Sequence, residues 1–113
     1  MLKKIFSRFK KESYKQKGEN KKFAIVGKNG EPVTGYEFEG VGRFIKGTAI
    51  VKNNNKYGVV NQDGEQVIPC IYNMIVRLKN DFYAELDDRY LTLDSNGNVL
   101  MEIEKFSISK LFS

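Results

Sequence analysis

Few side chains of this 113-residue chain could carry acid–base or nucleophilic chemistry. It has no histidine, so the commonest general base and zinc ligand are missing. Its one cysteine, Cys70, can form neither an internal disulfide nor a cysteine metal site, and it reads as a small buried hydrophobe after a proline. Glu37 and Glu39 flank Phe38 at strand spacing and share a face, which would suit paired carboxylates. No nucleophile or cleft accompanies them, so a solvated strand face is expected. Asp87, Asp88 and Asp94 lack the alternating spacing of a calcium loop and read as turn residues. Gly40-Val41-Gly42 and Lys46-Gly47-Thr48 lack the Walker spacing, and no helix follows them. The sequence therefore points to no catalytic residue, no metal ligand and no cofactor; the chain is expected not to be an enzyme.

What must position the remaining residues is first a leader and then a domain. The formal net charge is +5, from 19 basic and 14 acidic residues, and it is unevenly spread. Residues 1–22 hold nine basic groups and two acidic ones, a local charge of +7, whereas residues 23–113 carry −2. The pI of 9.3 thus belongs to the leader. A nucleic-acid footprint needs clustered charge on a folded face, so the domain is not expected to bind nucleic acid.

In the leader, Leu2, Ile5, Phe6 and Phe9 stand at i, i+3, i+4 and i+7, with Lys3, Lys4, Arg8, Lys10 and Lys11 around them. This spacing predicts a short basic amphipathic helix, with residues 12–22 as helix tail and linker. Such a helix is marginal alone in water and orders when its stripe meets something. Three seats are open to it: the end of the domain's sheet, a protein groove or nucleic acid, and an anionic membrane surface. No apolar run is long enough to span a bilayer, and charges interrupt the start where a secretion signal would be continuous. A lone thiol then suggests the cytoplasm, with peripheral attachment to the inner face of the membrane as the variant.

From Phe23 onward, short β-rich runs alternate with turn signals such as Asn29-Gly30, Asp63-Gly64 and Asn96-Gly97. These dipeptides supply the positive φ that tight hairpins need. The punctuation is periodic. Gly30, Gly64 and Gly97 are 34 and 33 residues apart, as are Phe23, Tyr57 and Tyr90. Each glycine is followed three residues later by Val33, Val67 or Leu100, and then by a second aromatic, Tyr36, Tyr72 and Phe106. A fixed period in this range marks a repeat architecture, whose units bury their apolar faces by stacking. The expected fold is all-β: a curved antiparallel meander of three degenerate hairpin repeats over 23–113, about nine or ten strands at a typical ~5–6 residues each. The neighbours should share one continuous sheet. Pro32 and Pro69 follow the hairpins, at places where a missing N–H is tolerable.

The segment from Lys56 and Tyr57-Gly58 through Asp63-Gly64 to Pro69 and Tyr72 resembles the WG-repeat (KWG-repeat) family. That pattern is an aromatic-Gly pair, two aliphatics, a polar-Gly hairpin, an aliphatic-Pro step and a tyrosine. Phe23-Ala24 and Tyr90-Leu91 stand in for the aromatic-Gly pair in the flanking units, and the chain has no tryptophan. The resemblance implies a β-rich, mostly bacterial repeat scaffold without shared catalytic activity, serving interaction or structural roles. The expected function is a non-enzymatic interaction or structural module, docked to a protein partner or a larger assembly with help from the leader. The alternative is a peripheral membrane accessory protein anchored through residues 1–11.

Overall fold

The computed structural model describes residues 15–104, which form ten strands and no helix. The strands are β1 (Lys15–Lys17), β2 (Phe23–Ile25), β3 (Gly40–Val41), β4 (Thr48–Asn53), β5 (Lys56–Asn61), β6 (Gln66–Tyr72), β7 (Met74–Arg77), β8 (Phe82–Leu86), β9 (Arg89–Leu93) and β10 (Val99–Glu104). All pairings between them are antiparallel. The amphipathic helix expected near the start, and Phe106, lie outside the described residues.

The three glycine corners share one backbone solution. Gly30, Gly64 and Gly97 have φ of +85°, +83° and +88°. Their N–H groups donate to the carbonyls of Gly27, Asn61 and Asp94 at 3.0, 3.1 and 3.0 Å. Gly27, Asn61 and Asp94 in turn donate to Glu31, Glu65 and Asn98 at 2.8, 3.0 and 2.9 Å. In the second and third corners an Asx side chain locks the loop. Asn61 Oδ1 accepts from the amides of Asp63 and Glu65, and Asp94 Oδ1 from those of Asn96 and Asn98. A side chain that satisfies the backbone of its own turn is why Asn and Asp recur there.

The expected continuous sheet is in fact three sheets: β1-β2, β3-β4-β5-β6 and β7-β8-β9-β10. The chain turns at Asn73, and β7 then pairs with β8 and not with β6. Each four-stranded sheet therefore straddles two sequence repeats, closing one and opening the next. The break lets apolar side chains on both faces of a sheet be buried between neighbours, which an uninterrupted meander could not do.

The polar segment 12–22, expected as helix tail and linker, contains β1, which pairs with β2. All three β1 residues are exposed, so no alternation of apolar and polar residues betrays the strand. It is held by Lys15, whose Nζ donates to the Val41 carbonyl at 2.7 Å and lies 5.6 Å from the Phe23 ring centre. Charged residues on an outer strand also discourage edge-to-edge association.

Two cores result, and they are the same core one repeat apart. One gathers Ile25, Phe38, Val41, Ala49, Val51 and Val60. The other contains Val59, Tyr72, Ile75, Phe82, Ala84 and Leu93, the same positions displaced by 34 residues for the first three and 33 for the rest. The missing residue falls between β7 and β8, where the connection is shorter than between β3 and β4. This pairing corrects one expectation: the counterpart of Tyr72 is Phe38, not Tyr36. Phe38 bridges Phe23 as Tyr72 pairs with Tyr57, and Phe38 is fully buried. Gly30 to Phe38 and Gly64 to Tyr72 are both eight residues, so the corner and the core aromatic keep one spacing, and Tyr36, two residues earlier, is only half-buried.

Candidate interaction surface

The residues that might have done chemistry are occupied structurally. Glu39 Oε1 accepts from the Asn55 amide at 3.0 Å and caps a tight turn with Asn54 and Asn55 at positive φ. Asp94 serves its own corner, and hydrogen bonds led by the Asn98 amide hold its carboxyl below the usual carboxylate range. Cys70 packs half-buried against the first core, and burial followed by the Glu37 charge pushes its thiol up. A thiol that ionises less readily is a poorer nucleophile. Among the described residues no three His, Cys, Asp or Glu side chains cluster as a metal site.

The sequence-predicted structural residues are distributed along the array. Phe23, Tyr57 and Tyr90 sit in equivalent strands β2, β5 and β9. Gly58 lies where a Cβ would come within 2.5 Å of the Ile68 carbonyl oxygen and 2.8 Å of the Cys70 nitrogen. That close approach lets β6 kink around Pro69 across β5, with register shifts on both sides of Val59. Gly64 and Gly97 also stack units: a Cβ at Gly64 would strike Thr34 and Val33, and one at Gly97 the Val67 carbonyl. Gly30 meets nothing within 4 Å. The docking residues of the leader, Leu2, Lys3, Lys4, Ile5, Phe6, Arg8, Phe9, Lys10 and Lys11, fall outside the described residues.

The feature not anticipated is at the far end of the array. Beside β8, β9 and β10 lies an apolar hollow of ≈ 340 Å³, lined by Tyr83, Tyr90, Leu91, Thr92, Met101 and Ile103. The Tyr83 and Tyr90 rings are 6.0 Å apart and inclined by 27°. Burial, then the charge of Glu85, pushes the Tyr83 phenol up. Among the described residues strand β10 is an outer strand of its sheet, and all six of its residues are exposed, including Val99, Leu100, Met101 and Ile103. In the sequence, Met101 and Ile103 show a strand's alternation, but nothing says that no later element covers them. The sheets are joined elsewhere by Arg77, whose Nη1 and Nη2 donate to Thr48 Oγ1 and O at 3.1 and 2.9 Å. Its guanidinium also lies 4.9 Å from the Phe82 ring centre, and burial pulls its pKa down.

No curated protein and no solved structure matches the chain. The WG containing repeat model matches at residues 23–57 and again at 57–84. The shared boundary at Tyr57 is the aromatic that opens the second unit, and the two segments together span more than half of the 113 residues. With its three equivalent glycine corners and its core repeated once along the array, the chain belongs to the WG containing repeat family.

Proposed function

We propose that the protein is a non-enzymatic interaction module whose partner adds an extended, apolar segment to the β10 edge. The family is not a known enzyme family and suggests an interaction or structural module. The observation that carries the reading is β10 itself, an outer strand with exposed Val99, Leu100, Met101 and Ile103. Strand addition to such an edge takes affinity from backbone hydrogen bonds and selectivity from alternate side chains. Folded proteins usually blunt an edge of this kind with charge, as the lysines of β1 do.

Affinity purification from the native cell tests the reading, using the wild type beside Leu100→Lys. A protein held by the wild type and lost by the variant supports it. Recovery of the same proteins at the same yield by both, or of none, removes it.

A second reading is favoured by the +7 charge and apolar stripe of the leader: peripheral attachment to an anionic membrane through residues 1–11. Sedimentation with anionic vesicles, for the whole chain and for a chain lacking residues 1–22, tests it. Equal and negligible binding by both removes this reading. The cytoplasm, with or without the inner membrane face, remains the proposed location.

A further inference from the structure

The second and third glycine corners each rest on the unit before them. A Cβ built on Gly64 would come within 2.6 Å of Thr34 Cγ2 and 3.1 Å of Val33 Cγ2. One built on Gly97 would strike the Val67 carbonyl and lie 3.4 Å from Ile68 Cγ1. The two footings are equivalent. Val26 bridges Pro32 as Val60 pairs with Gln66 and Leu93 with Val99. Val33-Thr34, Val67-Ile68 and Leu100-Met101 are therefore the same two positions in three successive units. Corner upon strand is thus one joint, made twice among the described residues.

Two halves of that joint are left over. Gly30 keeps the φ of Gly64 and Gly97 to within a few degrees, yet a Cβ on it would meet nothing within 4 Å. No unit precedes it among the described residues. At the other end, no described corner sits on Leu100 and Met101, which are 56% and 57% exposed. Ile68, at the place of Met101 one unit earlier, is 1% exposed. A terminal repeat that ended the stack would present a polar outer face there. Charge divides in the same direction. Residues 15–31 hold five basic and two acidic residues, whereas 87–104 hold five acidic and one basic. A positive head and a negative tail are complementary.

We infer that the chain associates with copies of itself head to tail. The Gly30 corner of one copy sits on Leu100 and Met101 of the next, so the joint within the array continues between copies. Unlike patches meet, so each bound pair still has one free head and one free tail, and the assembly grows into open chains or closes into rings. The inference does not rest on the partner reading: Leu100 serves both, but the Gly30 corner serves this contact alone.

Sedimentation velocity of the purified full chain over a concentration series tests it. The wild type should grow past the dimer as concentration rises. It should dissociate as salt goes from about 0.1 M to about 1 M, which shortens the Debye length from about 10 Å to about 3 Å. Gly30→Asn puts a side chain into the joint, and asparagine tolerates the left-handed backbone of that corner. Leu100→Lys removes the apolar footing. Each variant alone should stay monomeric. Their equal mixture should give a dimer and nothing larger, because only one intact head meets one intact tail. Met101→Glu should behave as Leu100→Lys does, so one unfolded variant does not stop the test. A wild type that is monomeric up to about 1 mM, or that stops at a dimer, overturns the inference. So does a mixture of folded variants that stays monomeric, or self-association that salt leaves unchanged. A monomeric wild type whose β10 edge still captures a partner sinks this inference and spares that reading. A self-associating chain that captures no other protein does the reverse.

Discussion

The hairpins β5–β6 and β9–β10 hold equivalent places one repeat apart, yet among the described residues one is kinked and buried and the other has a single register shift and an exposed outer strand. In the first, Gly58 lets the β6 backbone pass so close that a Cβ has no room, and β6 bends around Pro69 with two register shifts. The bend delivers Tyr72 to the core, where it is 7% exposed. In the second, Leu91 stands at the position of Gly58 and is itself buried. The β10 backbone runs past it with a single shift, between Val99 and Met101, and Ile103 takes the Tyr72 position at 38% exposure. A missing side chain in one strand therefore sets the path of its neighbour, and that path decides which residues the next sheet can bury. Gly58 is there for space: its φ is not positive, and only the missing Cβ lets β6 pass.

Breaking the kinked hairpin should have the largest effect. Gly58→Val would drive a branched side chain into the Ile68 and Cys70 backbone, and should cost about 3 kcal/mol or more in urea unfolding. In the β9–β10 hairpin the reverse change, Leu91→Gly, should cost a comparable ~3–5 kcal/mol, but through a cavity and a looser strand. If Gly58→Val were tolerated with unchanged stability, the close approach would not be what shapes β6.

Next comes the tie between sheets. Arg77→Leu removes two hydrogen bonds to Thr48 and should cost about 1.5–3 kcal/mol, read from the same unfolding curves. The glycine corners sharpen the comparison further. Gly30→Ala should cost about 1 kcal/mol, the strain of a left-handed backbone, because nothing surrounds that site. Gly97→Ala should cost clearly more, since its Cβ would also meet the Val67 carbonyl of the preceding unit.

The smallest effect concerns acid. The second corner is locked by Asn61 and the third by Asp94, whose carboxyl is held low by the Asn98 amide. A depressed carboxyl contributes stability above its unfolded value, near pH 4 or just below, and loses it as pH falls through the folded value. The wild type should therefore lose stability faster than Asp94→Asn on acidification below about pH 4. Parallel slopes for the two chains in denaturant midpoints against pH would show that the Asp94 lock contributes nothing.

Much of the array was legible before any coordinate. The spacing of Gly30, Gly64 and Gly97 announced three corners, because a tight hairpin with positive φ leaves few alternatives to glycine. Strand β1 was not legible, because Lys15, Gln16 and Lys17 are all exposed and strand pairing leaves no hydrophobic trace. Tyr36 matched Tyr72 by residue type, but the 34-residue period and the strand pairing both give that place to Phe38. The terminal hollow was hidden for a different reason. Tyr83, Tyr90, Met101 and Ile103 look like ordinary core residues in the sequence, and exposure is a property of what lies opposite them.

Local chemistry, then, is what this chain's residues settled without help: where it turns, that it pairs as hairpins, and that the hairpins recur. Turn preferences and side-chain period act over a few residues and can be read from them. Which strands share a sheet, where the sheets part at Asn73, and which apolar residues are exposed among the described ones were decided only in three dimensions. Those outcomes depend on backbones passing within a few ångströms of each other, as at Gly58 and Leu91, and on how one unit stacks upon the last.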